Sequence, residues 1–253
     1  MGVVNVTPDS FSDGGRFLDH DAAIAHGLEL VAAGADLVDI GGESTRPGAD
    51  PVSVAEELRR VIPVVEGLVG QVRVSIDTRH AEVAEAAIAA GATLVNDVSA
   101  TLHPVAAAHG VGWVAMHMLG DPRTMQANPT YDDVVADVRD FLVAKADAGR
   151  AAGVTEIWID PGIGFGKTMA HNLALLARID ELVATGWPVA LGVSRKRFLG
   201  TILARSDGVD EVDTDDRLEG SLATATWAMA QGVGMIRAHD VAPTVDAARV
   251  VAA

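Results

Sequence analysis

Leu37-Val38-Asp39-Ile40 and Trp113-Val114-Ala115-Met116 decide how this chain reads. Each is a short, nearly continuous apolar run. Strands with one wet face alternate apolar and polar residues, whereas parallel strands covered on both faces do not. Working outward, comparable runs lie at residues 2–6, 36–40, 72–76, 93–98, 112–117, 156–160, 189–193 and 234–239. Longer segments with helical spacing separate them. Residues 21–34 carry Ile24, Leu28 and Val31 on one face. Residues 51–70 open on Pro51 and close on Gly70, a first-turn proline and a terminal glycine. Residues 79–91, 132–153, 171–186 and 216–232 also end on glycine, and shorter helical patterns cover 103–110 and 242–252. Strand then helix, eight times over, predicts an α/β fold: a single (β/α)8 TIM barrel over residues 1–253, with mobile βα loops at its C-terminal face. Residues 205–215 are polar and acidic and read as an exposed loop.

Composition narrows the function. A net charge of −16 argues against a nucleic-acid partner, which needs clustered Lys and Arg. The absence of cysteine removes disulfides, thiolate zinc sites and thiol catalysis. No apolar run approaches ~18 residues, so no membrane span is expected. The first residues lack a basic leader and run straight into Pro8-Asp9, which makes a cytoplasmic protein the default.

The polar residues gather at the C-terminal ends of the strand runs: Asn5, the stretch 43–46, Asp77, Asn96, His117, Asp160, 194–196 and 237–239. Each could simply cap the helix that follows. In a barrel, however, all eight strand ends open onto the one face where active sites are built. Two familiar phosphate motifs fail. In the stretch Gly162-Ile-Gly-Phe-Gly166-Lys167-Thr168, Pro161 stands where a P-loop needs its first glycine, and Lys167 stands where a dinucleotide fingerprint needs its last. The stretch remains a glycine-rich turn whose backbone amides could reach a ligand. Asp77, Asn96 and Asp160 suit a flat heterocycle rich in ring nitrogens and amines. Arg46, Lys196, Arg237 and His239 offer fixed or switchable positive charge for phosphate oxygens. Basic groups converging in one mouth would let an acidic protein hold an anionic substrate.

Read together, these stretches resemble one family. Asn5-Val-Thr-Pro-Asp-Ser-Phe-Ser-Asp-Gly-Gly15 is similar to the first signature of the dihydropteroate synthases, and Gly42-Glu-Ser-Thr-Arg-Pro-Gly48 to the second. Ser75-Ile-Asp-Thr78, Asn96-Asp-Val-Ser99, Met116-His-Met118, the stretch 160–167, Ser194-Arg-Lys196 and Arg237-Ala-His-Asp240 follow in family order along the whole chain. The resemblance implies condensation of 6-hydroxymethyl-7,8-dihydropterin diphosphate with p-aminobenzoate, giving 7,8-dihydropteroate and pyrophosphate. It implies that Asp77, Asn96 and Asp160 hold the pterin edge with Lys196 facing the ring, and that Val98, Met116, Phe165 and Gly192 line the pocket. It gives Asn5 a Mg²⁺ that bridges to the diphosphate, Arg46, Arg237 and His239 the phosphates, and Phe11, Thr45, Pro47 and Ser194 the p-aminobenzoate. Asp77, Asp160, Lys196 and Arg46 are the expected catalytic set. The family further implies a folate-pathway transferase, a sulfonamide target and a homodimer, with Leu222, Trp227 and Met229 on a candidate contact helix.

Two departures stand out. The chain begins almost at its first strand, so the hairpin that usually plugs such a barrel is expected to be largely absent or trimmed, and Ala100-Thr101 replaces the glycine pair often found after the Asn96 motif. Two rivals share the barrel. A pterin-binding methyltransferase module would not need the 43–48 and 194–196 motifs, and a non-catalytic pterin binder would carry degraded loops. Here both motifs are intact.

Overall fold

The computed structural model describes residues 1–7, 19–44, 51–210 and 212–253. The expected alternation is present. The strands are β1 (Gly2–Asn5), β2 (Leu37–Gly41), β3 (Arg73–Asp77), β4 (Leu94–Asp97), β5 (Gly112–Met116), β6 (Ile157–Asp160), β7 (Ala190–Gly192) and β8 (Met235–Arg237). The helices are α1 (His20–Ala32), α2 (Val54–Leu68), α3 (Ala81–Ala89), α4 (His103–His109), α5 (Val134–Ala152), α6 (Met169–Ala177), α7 (Ile179–Val183), α8 (Arg197–Asp207), α9 (Leu218–Ala230) and α10 (Val241–Val251). β1 to β6 pair in chain order and β7 pairs with β8, all parallel. Two thin seams join these sheets into a ring. At one, Ile159 bridges Val189 and its N–H donates to Pro188 O at 2.9 Å. At the other, Gly2 bridges Ala238, with Val3 N–H on Ala238 O at 3.2 Å and Ala238 N–H on Met1 O at 3.0 Å.

The closed ring explains why the strands read apolar. Successive side chains point to opposite faces. One set, including Val38, Ile40, Val74, Ile76, Trp113 and Leu191, packs into the main core under the helices. The other set, Leu37, Leu94, Val114, Ala190 and Met235, forms a separate cluster with Met1 and Trp158 inside the barrel. One inward step further toward the strand ends, the row turns polar: Asp39, Ser75, Asn96, Asp160 and Arg237. At the opposite end Arg73 forks onto Glu156 at 2.6 and 3.0 Å, and Trp158 Nε1–H donates to the same carboxylate at 2.9 Å.

Four helical expectations need correction. α2 begins at Val54, where Ser53 Oγ accepts from Glu56 N, so Pro51 precedes the helix and is not its first residue. The segment read as one helix over 171–186 breaks into α6 and α7 at Arg178, whose φ of −116° leaves the helical region. Its guanidinium there grips Glu181 and Asp133. α8 is absent from the sequence reading, and it extends to Asp207, so the expected loop 205–215 begins as helix and ends in a 3-10 turn at Thr214–Asp216. α9 starts at Leu218. No helix among the described residues is long and apolar enough to cross a membrane.

The Ala100-Thr101 departure is absorbed locally. Ala100 is buried and takes a φ of +52°. The fully buried Asp97 carboxylate holds the turn, accepting from Ser99 N, Ser99 Oγ, Thr101 N, Leu102 N and Trp113 Nε1. Asp97→Ala strands these donors, Trp113 Nε1 among them in the core. The expected loss is ~3 kcal/mol, a fall of about 6–12 °C in Tm for a domain of this size. Thermal unfolding checks it; a fall below about 2 °C would mean the turn is held by something else.

Candidate active site

The strand ladder sets the polar ends side by side. Asn5 pairs in register with Gly41, Gly41 with Asp77 and Asp77 with Asn96, while Met116 pairs with Asp160 and Gly192 with Arg237. Arg237 crosses the β8–β1 seam. Its Nε donates to Asp39 Oδ2 at 2.6 Å and its Nη2 to Asp77 Oδ2 at 2.9 Å. Asp39 Oδ2 also accepts from Asn96 Nδ2 at 2.9 Å. On the far wall, Asp160 Oδ1 accepts from Gly162 N at 2.7 Å, which leaves Oδ2 for a ligand. Lys196 Nζ lies 4.4 Å from the centroid of the Phe165 ring, a cation–π contact. Val98 and Met116 are buried in the same mouth.

Three amides of the glycine-rich turn are committed internally. Gly162 N is taken by Asp160, Gly164 N by Asn172 Oδ1 at 2.8 Å and Phe165 N by Gly162 O. The turn is a scaffold. Gly162 has a φ of +64°, and a Cβ there would lie 1.9 Å from His117 O, so only glycine fits. The nearly buried Lys167 ties the turn to β5. Its Nζ reaches His117 Nδ1 at 2.9 Å and Phe165 O at 3.0 Å.

Among the described residues the mouth carries Asp39, Asp77 and Asp160 against Lys167, Lys196 and Arg237, so it is locally balanced within a chain of net charge −16. Burial raises the Asp77 carboxyl, opposed by Arg237 and reinforced by Asp39 and Glu57. Burial raises Asp160 as well, against its Gly162 hydrogen bond and Lys196. Burial lowers Lys196 to about 8 and Lys167 to about 7. His239 needs correction as a switchable cation: burial, with Arg237 and Arg195 beside it, lowers it to about 3. Its backbone N–H donates to Ser194 Oγ at 3.1 Å, and the same oxygen lies 3.1 Å from the ring Nδ1. A neutral ring carries one proton, and with that proton on Nε2 it offers the mouth a donor.

Phe11, Thr45, Arg46 and Pro47 lie outside the described residues. Two buried carboxylates are missing from the sequence reading. Asp39 sits in a run that reads as apolar; the signal was that an acid between two buried strand faces needs a partner. Glu57 lies on the buried stripe of α2 with Val61, Val64 and Leu68, and its Oε2 meets His80 Nδ1 at 2.6 Å. Glu43, Glu57 and His80 bring ligand-type atoms within 4.8 Å of one another, but Arg79 forks onto both Glu43 oxygens at 2.9 Å. Beside this cluster Glu43, Ser44, Arg79, Asp121 and Arg123 line a cavity of about 290 Å³.

A parallel barrel with a charge-balanced, donor-and-acceptor mouth is the class that fold and site define. The family of pterin binding enzymes matches residues 1–239. A dihydropteroate synthase of Mycobacterium leprae is 50% identical over 263 aligned positions, covering 100% of this chain and 92% of the relative. The solved dihydropteroate synthase of Yersinia pestis with a sulfonamide drug is 44% identical, with a TM-score of 0.91 over 99% of this chain and 92% of that one. The Xanthomonas albilineans dihydropteroate synthase in complex with 7,8-dihydropteroate is 46% identical, with a TM-score of 0.86 over 98% and 90%. The chain belongs to the dihydropteroate synthase family of pterin binding enzymes.

The histidines give a pH signature. Burial, with Lys167 beside it, lowers His117 to about 3, as burial and Arg237 do for His239. The unfolded chain binds protons below about pH 6.5 that the native state refuses. Stability should therefore fall as pH drops from about 6.5 toward 3, by up to ~1.4 kcal/mol per pH unit for each histidine. Imidazole NMR should find both neutral at pH 5; a midpoint near 6.5 for either would contradict the geometry.

Proposed function

We propose that the chain condenses 6-hydroxymethyl-7,8-dihydropterin diphosphate with p-aminobenzoate, releasing pyrophosphate and 7,8-dihydropteroate. The observation that carries this is the register-locked set of Asp77, Asn96 and Asp160 around an apolar floor, with Lys196 above it, in a member of this family. In the reaction the aniline nitrogen forms a C–N bond to the pterin methylene carbon. The C–O bond to the diphosphate breaks, its electron pair leaves with pyrophosphate, and the amine proton departs to solvent. No protein nucleophile is needed. Negative charge grows on the leaving group, so preorganised donors lower the barrier.

The residues divide accordingly. Asp77 Oδ1, Asn96 and Asp160 Oδ2 meet the ring and its amino group, and Lys196 faces the ring between Phe165 and the carboxylates. Val98, Met116 and Gly192 complete the pocket. Arg237 serves both halves: Nε and Nη2 brace the pterin-side carboxylates, and Nη1, bonded to no described residue, turns to the diphosphate. His239 donates Nε2–H to a phosphate oxygen. Arg46 joins the phosphates, and Phe11, Thr45, Pro47 and Ser194 surround p-aminobenzoate. The Asn5 carboxamide has no hydrogen bond to the described residues and offers a hard oxygen, so it fits Mg²⁺, an ion that keeps waters and substrate phosphates as its other ligands. When bound, Mg²⁺ would neutralise diphosphate charge. Residues 1–253 act as one domain, in the cytoplasm. A homodimer through α9 is favoured by Trp227, half-exposed and pinned by its Nε1 to Leu176 O at 2.8 Å.

Two outcomes follow. Pyrophosphate should appear only when p-aminobenzoate is added to the pterin diphosphate, and sulfonamides should compete with p-aminobenzoate. Release without the amine, or none with it, would overturn the assignment. In Asp160→Asn, the amide oxygen stays with Gly162 N and the NH2 faces the ligand, replacing an acceptor by a donor. A lost charged hydrogen bond costs ~1.5–3 kcal/mol, so pterin affinity should fall at least tenfold by calorimetry; unchanged affinity would remove Asp160 from the pterin edge.

A further inference from the structure

Asp39 is fully buried at the base of the mouth, paired in register with Ser75, one inward step below Asp77. A carboxylate only accepts hydrogen bonds, so the Asn96 atom 2.9 Å from its Oδ2 must be the NH2 group. That contact settles an orientation an amide could otherwise reverse. With Nδ2 turned down into the barrel, Asn96 Oδ1 is the atom left to the mouth; it accepts from no described residue and is not sealed from solvent. The same Oδ2 takes Arg237 Nε at 2.6 Å and so aims the remainder of the guanidinium at Asp77. Asp39 Oδ1 and Ser75 Oγ face each other in the β2–β3 register, and neither has a partner among the described residues. The Ser75 hydroxyl is thus free to donate to Asp39, a contact that suits an accept-only carboxylate.

We propose that Asp39 is a positioning residue: it turns the Asn96 amide so that Oδ1 faces the ligand, and it holds Arg237 against Asp77. The site thereby demands a hydrogen-bond donor from the heterocycle at Asn96. This deepens the pterin reading and rests on it.

The polarity of the pair can be exchanged without changing net charge. Asp39→Asn removes the accept-only partner and lets the Asn96 amide reverse. Asn96→Asp sets two carboxylates face to face. In the double variant Asp39→Asn/Asn96→Asp, the new amide at position 39 donates its NH2 to the new carboxylate at position 96, while Arg237 Nε, which shares Asp39 Oδ2 with Asn96, loses its acceptor there. The carboxylate at position 96 again shows an acceptor to the mouth. The probes are 6-hydroxymethylpterin and pyrophosphate, by calorimetry. Each single variant should lose at least tenfold in pterin affinity; the double should return to within about threefold of the parent for pterin, while its pyrophosphate affinity falls with that of Asp39→Asn because Arg237 Nε has lost its acceptor. A double variant that melts like the parent but binds pterin as poorly as the singles would overturn the proposal. Should the variants fail to fold, the parent itself decides by NMR. The Asn96 Nδ2 proton held by Asp39 should stay unmoved on adding pterin, and its displacement would count against the assignment. Failure of the parent to bind pterin at all would instead sink the proposed function.

Discussion

Arg237 joins Asp39 and Asp77 across the seam where the last strand meets the first, spanning 198 and 160 residues of sequence. The rest of the mouth is arranged around this bridge. It exists only because the ring closes: β8 touches β1 through a single bridge at Gly2 and Ala238, yet that contact brings the guanidinium over β2 and β3. Its value lies in orientation more than stability. Desolvating three charges costs much of what their attraction returns, and a well-packed apolar trio could do as well for stability. What apolar residues could not do is hold a carboxylate, an amide and a guanidinium with defined polarity at the floor of a substrate site.

The charge balance follows from the same confinement. The protein is acidic overall, but its mouth sets three carboxylates against three cations among the described residues. Burial alone would neutralise most of these groups. It pulls Lys196 and Lys167 down and pushes Asp77 and Asp160 up, and opposite charges across the barrel work against that shift: Asp160 for both lysines, Arg237 for Asp77 and Lys196 for Asp160. A site in this state is poised to exchange internal partners for a flat, polar ring and a diphosphate, with little change in total charge. The histidines lie outside that exchange. Both are neutral, one beside Lys167 and the other held by Ser194.

Support for the site comes from turns that use their hydrogen bonds internally. The 160–167 turn commits three of its amides to Asp160, Asn172 and itself, and Lys167 anchors it to His117 at the end of β5. The β4 turn is wound around Asp97, which lets Ala100 occupy a left-handed position that glycine usually fills. Arg217 does the same for the segment holding Lys196, donating to Arg195 O and Val212 O. In each case a buried charged side chain replaces missing secondary structure and fixes where the neighbouring strand-end residue points.

The sequence by itself determined the eight strand-and-helix units, their parallel arrangement and the end of the barrel that carries the chemistry. Those follow from local rules: apolar runs of strand length, helical spacing, glycine stops, and polar residues at strand ends. Asp77, Asn96, Asp160, Lys196 and Arg237 were legible for that reason, because a strand end is a position in the chain before it is a position in space. Only the tertiary structure decided what those residues do to one another. Asp39 reads as part of an apolar run because its partners, Asn96 and Arg237, are 57 and 198 residues away. His239 reads as a switchable cation because its ordinary titration is a property of water, and the barrel removed the water. The break at Arg178 is not legible in the pattern because its guanidinium contacts outweighed helical spacing, whereas α8 carries its own signal in the buried Phe198, Leu199 and Ala204. Sequence periodicity fixes which way a side chain faces, but closure of the ring fixes what it meets.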